Sequence, residues 1–422
     1  GKMKKNLISF FCGLFLYMIP VSAFAVTEVI WWDFLGGGDG VRMKKLIDNF
    51  NSSHDDIQIN ATTLEWGVPF YTKVQTSAAI GEQPDMMTYH LSRFPLAVPT
   101  GVLRPISEAE LASVGISGDR FFPANWEAAN FGGATHGVPL DIHANVMYFN
   151  SDMLAEAGLL DENGDPTLLD GLDNFMAGLE KLDAMVEYPI GFATGNGGMV
   201  WRWWYSILRM MDGEYLVDGK VCPGDKCEKA TQVLADLVEK GYMPSETDYG
   251  SAKAMFASGQ SAIHINGVWE VPTWVDLRAN NELGFKFGVR DMPQLFETEA
   301  TWADSHAFAI PHSDKNPISD EKLKAVLTVM SWMSDNSLFW ATAGHIPSNK
   351  NIVNSVFYNN MEPNADYANI GSNMVTEPFS PLTGVASPTY DAMQNYIMPA
   401  VNGQLSAEEA VQMLRDDLES LM

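Results

Sequence analysis

Cysteine is scarce in this chain. Of three in 422 residues, Cys12 lies in an apolar N-terminal run, which leaves Cys222 and Cys227 for the rest. There is no second cysteine pair, and the eight histidines contain no His-Glu-x-x-His, so neither structural zinc nor zinc hydrolysis is expected and no metal is assigned. Basic residues are also few, 26 against 53 acids, for a net charge of −27. A surface this acidic repels nucleic acid and anionic lipid, which are not expected as partners. No apolar run beyond the first 25 residues is long enough for a bilayer of ~30 Å. A Gly-x-Ser-x-Gly elbow is missing, which weakens a serine-esterase reading. The glycine cluster at 36–40 lacks the Walker lysine and fits no dinucleotide spacing, so it reads as a plain turn into a helix. The acidic stretch from Asp161 to Asp165 fails as a calcium loop, since Pro166 and Leu172 stand where a glycine and a glutamate are required.

The N-terminus has the order of an export signal. Lys4 and Lys5 precede an apolar run from Leu7 to Ile19, followed by Ala23-Phe-Ala25. Cleavage after Ala25 is expected, giving a periplasmic protein. It would remove three lysines and no acid, taking the net charge from −27 to −30. Phe10 and Phe11 before Cys12 argue against a lipid tether. In an oxidising compartment Cys222 and Cys227 favour a local disulfide.

At 46% apolar composition, the chain supports two lobes with cores of their own. Strands are expected at 29–32, 57–62, 85–89 and 146–149, with helices between them, an α/β layering. Met43, Leu46, Ile47 and Phe50 share one helical face, as do Leu323, Val326, Leu327 and Met330, and again Val411, Leu414, Leu418 and Leu421. Ser406 with Glu409 reads as a capping box for the last helix. No low-complexity linker occurs, so the lobes should be joined by strands crossing between them.

Twelve tryptophans stand out, several near strand ends or loops: Trp31, Trp32, Trp66, Trp201, Trp203, Trp204, Trp269 and Trp302. Flat rings suit the C–H faces of sugars, with neighbouring polar groups for the hydroxyls. Trp201-Arg-Trp-Trp204 predicts at least one ring facing outward. Paired carboxylates for glycoside cleavage are always available among so many acids, which keeps a secreted glycoside hydrolase as an alternative.

Five fragments occur in a telling order: Ala79-Ile-Gly-Glu-Gln-Pro-Asp85; Gly137-Val-Pro-Leu140 through Val146-Met-Tyr-Phe-Asn150; Met255-Phe-Ala-Ser-Gly259 through Gly267-Val-Trp269; Gly344-His-Ile-Pro347; and Gly403-Gln-Leu-Ser-Ala-Glu-Glu-Ala410. With them the chain resembles the extracellular solute-binding proteins of ABC sugar importers, the maltose-binding and glycerol-phosphate-binding type. The resemblance implies a two-lobed α/β periplasmic-binding fold of type II, with lobes 26–140 plus 303–345 and 141–302 plus 346–422. It places interlobe crossings near 139–142, 302–304 and 344–348, and ligand capture by hinge closure. It implies no catalysis and no cofactor, a monomer, and delivery of ligand to the transmembrane subunits of an ABC permease. The implied ligand-binding residues are Trp32, Trp66, Tyr89, Ser92, Arg93, Asp141, His143, Trp201, Trp203, Trp269, Trp302, Tyr390 and Gln394. Stacking rings are enriched there, which points to a neutral oligosaccharide. A phosphorylated solute such as glycerol phosphate would need more concentrated donors than Arg93 and Arg202 supply.

Overall fold

The computed structural model describes Met3, residues 13–17 and residues 25–422. Met3, residues 13–17 and Ala25 apart, the expected leader lies outside the described residues.

Two sheets organise the chain. Thr27–Asp33 buries Val29, Trp31 and Asp33 on alternate positions, and pairs in parallel with Ile57–Thr63 and with Met86–His90. Parallel neighbours require crossover helices, here Gly37–Ser53 and Val68–Ala79. His306–Ala309 then adds antiparallel to Met86–His90, with Val138–Pro139 beyond it. The first of those helices buries Met43, Leu46, Ile47 and Phe50, as their spacing predicts. Its first turn is built from the glycine cluster that reads as a turn ahead of the helix. The backbone there is too close for a side chain, because a Cβ on Gly40 would lie 2.4 Å from the Leu35 carbonyl oxygen.

The second sheet is arranged around Asp141–Asn150, whose ten residues are all buried. That strand is longer than the 146–149 expected from its apolar run, because tertiary cover extends over its polar start. Antiparallel to it lie Ser261–Gly267, Phe287–Arg290, Thr301–Asp304 and Ile346–Pro347. The chain passes from the first sheet to the second at Leu140, returns at Ser305, and passes forward again between His345 and Ile346. The middle passage falls just after 302–304, since Ala303 and Asp304 still pair with Ala144 and His143. The three passages touch. Leu140 N donates to the His306 carbonyl at 2.8 Å, and Ser348 N donates to the Leu140 carbonyl at 3.0 Å.

Each sheet has its own core. The first gathers Trp31, Phe70, Phe94, Phe308 and Trp340, with the face of Asp320–Asp335 that carries Leu323, Val326, Leu327 and Met330. The second gathers Trp201, Trp203, Trp204 and the last helix, Ala407–Glu419. Val411, Leu414 and Leu418 are buried there, whereas Leu421 lies past the end of the helix and is exposed. Ser406 Oγ accepts the Glu409 N–H at 3.1 Å, but the Glu409 carboxylate meets the Ser406 hydroxyl instead of its backbone N–H. The reciprocal box occurs at Ser107 and Glu110. Cys222 and Cys227 form the expected disulfide. Arg415 of the last helix holds that loop by donating to the Cys222 carbonyl at 2.8 Å. No helix among the described residues is long and apolar enough to cross a membrane.

Candidate functional site

The helix Gly197–Met210 begins with an Asn196 cap and then carries apolar residues on every face, the pattern of a helix buried all round. Trp201, Trp203 and Trp204 are fully buried, and Trp204 Nε1 donates to Thr231 Oγ1 at 2.8 Å. The expectation that one of these rings faces outward is therefore corrected. Trp201 and Trp203 are core residues, and the side chain of this stretch that reaches the space between the lobes is Arg202.

That space is a cavity of about 460 Å³. From the first lobe it is lined by the segment from Gly36 to Asp39, by Trp66 and by His90. From the second come Arg202, Tyr249, Lys253, Trp269, Glu270 and Asp276. His143, His306 and His345 form its floor, where the chain passes between lobes. Trp66 is half exposed and stands edge-on to His90, with ring centroids 5.8 Å apart. Trp269 lines the same cavity from the other lobe, and its Nε1 donates to the Tyr249 hydroxyl at 2.9 Å. Gly267 makes that ring position available, because a Cβ there would lie 2.1 Å from the indole. The Arg202 guanidinium lies between two rings, 5.1 Å from the Trp269 centroid and 4.7 Å from that of Trp302. The Tyr249 hydroxyl also donates to Glu270 Oε1 at 2.6 Å, while Lys253 Nζ lies 2.9 Å from Oε2.

Asp141 sits beneath the floor with no solvent contact and accepts four hydrogen bonds. The donors are His143 Nδ1 at 3.1 Å, His306 Nδ1 at 2.7 Å, Trp340 Nε1 at 2.7 Å and the His306 N–H at 3.0 Å. Burial alone would raise its pKa, but the charges of His306 and His345 and these bonds hold it well below the usual carboxylate range. Burial works against a charged His306 too, yet the Asp141 carboxylate carries its pKa above the ordinary value. His143 is pushed down to about 4 by burial and then by the His306 charge. His90 is held well below its usual range by burial and by the same two imidazoles.

Of the residues expected to meet ligand, the structure brings Trp66, His143 and Trp269 to the cavity wall, with Asp141 directly behind. The others lie elsewhere, each for an identifiable reason. Tyr89 is buried edge-on against Tyr71, centroids 4.7 Å apart, and Trp32 packs half-buried on the first-lobe core. Ser92 and Arg93 face the second lobe away from the cavity. Ser92 Oγ donates to Asp304 Oδ2 at 2.6 Å, and Arg93 Nη1 donates to the Val385 carbonyl at 3.0 Å. Trp302 is fully buried, its Nε1 donating to Glu377 Oε2 at 3.1 Å, and the Tyr390 hydroxyl donates to the same oxygen at 3.1 Å. Gln394 is exposed, and its Oε1 accepts from Gly197 N at 2.8 Å. Asp39, His90, Arg202, Tyr249, Lys253, Glu270, His306 and His345 line the cavity without having been expected there. Two local signals point to some of them: Glu270 directly follows Trp269, and Tyr249 and Lys253 are four apart on the helix Tyr249–Ala257.

Solved structures share this architecture. The cyclic α-maltosyl-1,6-maltose binding protein from Arthrobacter globiformis superposes with a TM-score of 0.75 at 21% identity, covering 94% of this chain and 99% of that one. Maltose-bound MalE3 of T. maritima gives a TM-score of 0.77 at 20% identity over 94% of this chain and 100% of its own. In sequence, a mannitol-binding protein of Pseudomonas aeruginosa is 25% identical over 293 residues, 67% of this chain but 64% of that protein. The match thus spans less than two thirds of that relative. The model of the family described as bacterial extracellular solute-binding protein matches residues 45–365, three quarters of the sequence, and the chain belongs to that family.

Proposed function

We propose that this chain is the substrate-capturing component of an ABC importer, closing its two lobes on a neutral oligosaccharide and handing it intact to membrane permease subunits. The observation that carries the reading is the pairing of Trp66 from one lobe with Trp269 from the other across a cavity of about 460 Å³. Two rings offer stacking faces, and the polar groups between them suit hydroxyls. Sugar-binding names among the relatives and neighbours point the same way. Of the ligand residues implied by the sequence, Trp66, His143 and Trp269 keep that role in this reading, and Arg202, Glu270 and Lys253 join them.

Two carboxylates at the site are already engaged, which counts against their use in glycoside cleavage. Glu270 is bound by Lys253 and Tyr249, and Asp141 by four donors, so neither is placed as a free acid or nucleophile. In this reading the protein is a binding protein, acting as a monomer in the periplasm after removal of its leader, which intact mass would record as loss of residues 1–25. Its lobes comprise 26–140 with 305–345 and 141–304 with 346–422, the middle boundary standing at Ser305 because Ala303 and Asp304 pair in the second sheet.

A thermal-shift screen across neutral oligosaccharides tests the function. A ligand at a hundred times its Kd stabilises the folded state by about 2.7 kcal/mol. The sugar should be recovered unchanged. Turnover of the sugar, or selective stabilisation by phosphorylated solutes with steep salt dependence, would overturn the reading.

A further inference from the structure

Each of the three passages between the lobes carries a histidine. His143 lies three residues past the first, His306 directly follows the second, and His345 directly precedes the third. Their rings converge, with centroids 4.3 Å apart for His143 and His306, 5.1 Å for His306 and His345, and 5.8 Å for His143 and His345. Three imidazoles around a tetrahedral ion with Zn–N bonds of ~2.1 Å would place their centroids ~5 Å apart, so the native spacing is close to the liganded one. A ring nitrogen of each lies within 4.8 Å of the others and of a carboxylate oxygen of Asp141, and because that carboxylate takes Nδ1 of His143 and of His306, Nε2 is the atom each of those two has left for an ion.

Two further observations point to a ligand. Both ring nitrogens of His345 are buried with no hydrogen-bond partner, and its Nε2 is 3.6 Å from Asp39 Oδ2, too far for a bond. Buried polar atoms are rarely left so. Asp141 takes the Nδ1 protons of both His143 and His306, the carboxylate–histidine arrangement that orients imidazoles behind a metal. His90 is set apart from this trio, since its Nδ1 is engaged by the Tyr71 hydroxyl. Arg202 lines the same cavity and opposes a cation, whereas Asp39, Asp141 and Asp304 favour one.

We infer that the floor of the cleft is a site for a divalent transition metal of the zinc class, held by His143, His306 and His345 with Asp141 orienting two of them. Its fourth position opens on the cavity, where water or a ligand hydroxyl completes the coordination. Such an ion would tie together the three crossing segments, so it would also stiffen the hinge. Sequence spacing excludes a short zinc motif and says nothing against this site, whose ligands are 163 and 39 residues apart, read from their numbers in the chain.

The test uses tag-free protein, chelator-stripped and free of sugar, titrated with Zn²⁺ by calorimetry and with Co²⁺ by visible absorption. One equivalent of each is expected to bind, Co²⁺ with the intense bands of a tetrahedral site. Asp141→Asn should weaken Zn²⁺ binding by about tenfold to a hundredfold, and His345→Ala by more, while His54→Ala, outside the cavity, changes nothing. Failure of the parent protein to take up Zn²⁺, or uptake that His345→Ala leaves unaltered, overturns the inference. The parent titration needs no variant to fold, and because no sugar is present its outcome is separate from that of the oligosaccharide screen.

Discussion

Ser92 of the first lobe holds both oxygens of Asp304, a residue of the second-lobe sheet. Its hydroxyl donates to Oδ2 at 2.6 Å and its N–H to Oδ1 at 3.0 Å. The contact is part of a seam behind the cleft. Val385 N donates to Ser92 Oγ at 3.2 Å, Val385 itself is buried in the first-lobe core, and Arg93 Nη1 reaches the carbonyls of Val385 and Ala386. Gly384 permits this approach, since at its φ of +94° a Cβ would lie 2.1 Å from the Ser92 carbonyl. Removing a hydrogen bond to a charged group costs about 1.5–3 kcal/mol. Ser92→Ala should therefore lower the stability of the empty protein by about that much in urea unfolding, and a loss below about 0.5 kcal/mol would deny the seam its role.

Motion about that seam is the second prediction. Ligand can drive closure only if it binds the closed form more tightly than the open one. Small-angle scattering should show the radius of gyration falling as the oligosaccharide found by screening is added. An unchanged radius at saturation would indicate a rigid, preformed cavity.

Glu377 makes a pH-dependent contribution. Burial, and after it the charge of Asp304, push its carboxyl up to about 7. An unfolded glutamate titrates near about 4.3, so the native state holds the proton more tightly. Stability from this group is fully present below about pH 4.3, declines as pH rises, and is lost above about 7. The difference amounts to about 3–4 kcal/mol. Glutamine cannot accept from Gly384, Trp302 and Tyr390 with both of its terminal atoms, so Glu377→Gln should be weaker overall. The diagnostic is slope: relative to the parent, the variant should gain stability between pH 4 and pH 8 in urea unfolding. Parallel curves for the two proteins would contradict the assignment.

The layering and helix faces were legible because they rest on local periodicity, as with Met43, Leu46, Ile47 and Phe50. Order of fragments conveyed the two-lobed arrangement. The site was legible where a local signal exists, as at Trp269 after Gly267, and where the family resemblance carried it, as at Trp66 and His143. Trp201 and Trp203 misled because ring type cannot show that a helix is covered on all sides, which the contacts of Trp204 with Thr231 and Trp201 with Tyr215 settle. Likewise His143, His306 and His345 carry no shared spacing. They meet because three separate passages are hydrogen-bonded side by side, a relationship that exists only in the folded chain.

Trp269 supplies the sharpest test of the proposed site. Its ring is partly buried, held edge-on to His143 with centroids 6.0 Å apart, and its Nε1 is fixed by Tyr249, so the face toward the cavity is preorganised. Loss of a stacked ring at a binding hot spot commonly costs ~2 kcal/mol or more, about thirtyfold in affinity. Trp269→Ala should produce that loss by calorimetry with the screened oligosaccharide. It also removes packing against Arg202, so the melting temperature of the empty protein must be followed in parallel. A second variant separates the two effects. Gly267→Ala keeps the indole but drives it from its seat, since the added Cβ would lie 2.1 Å away. Affinity should fall in both variants. If both bind within twofold of the parent, the ring is not a ligand contact; if only stability falls, Trp269 serves the core and the stacking role passes to Trp66 alone.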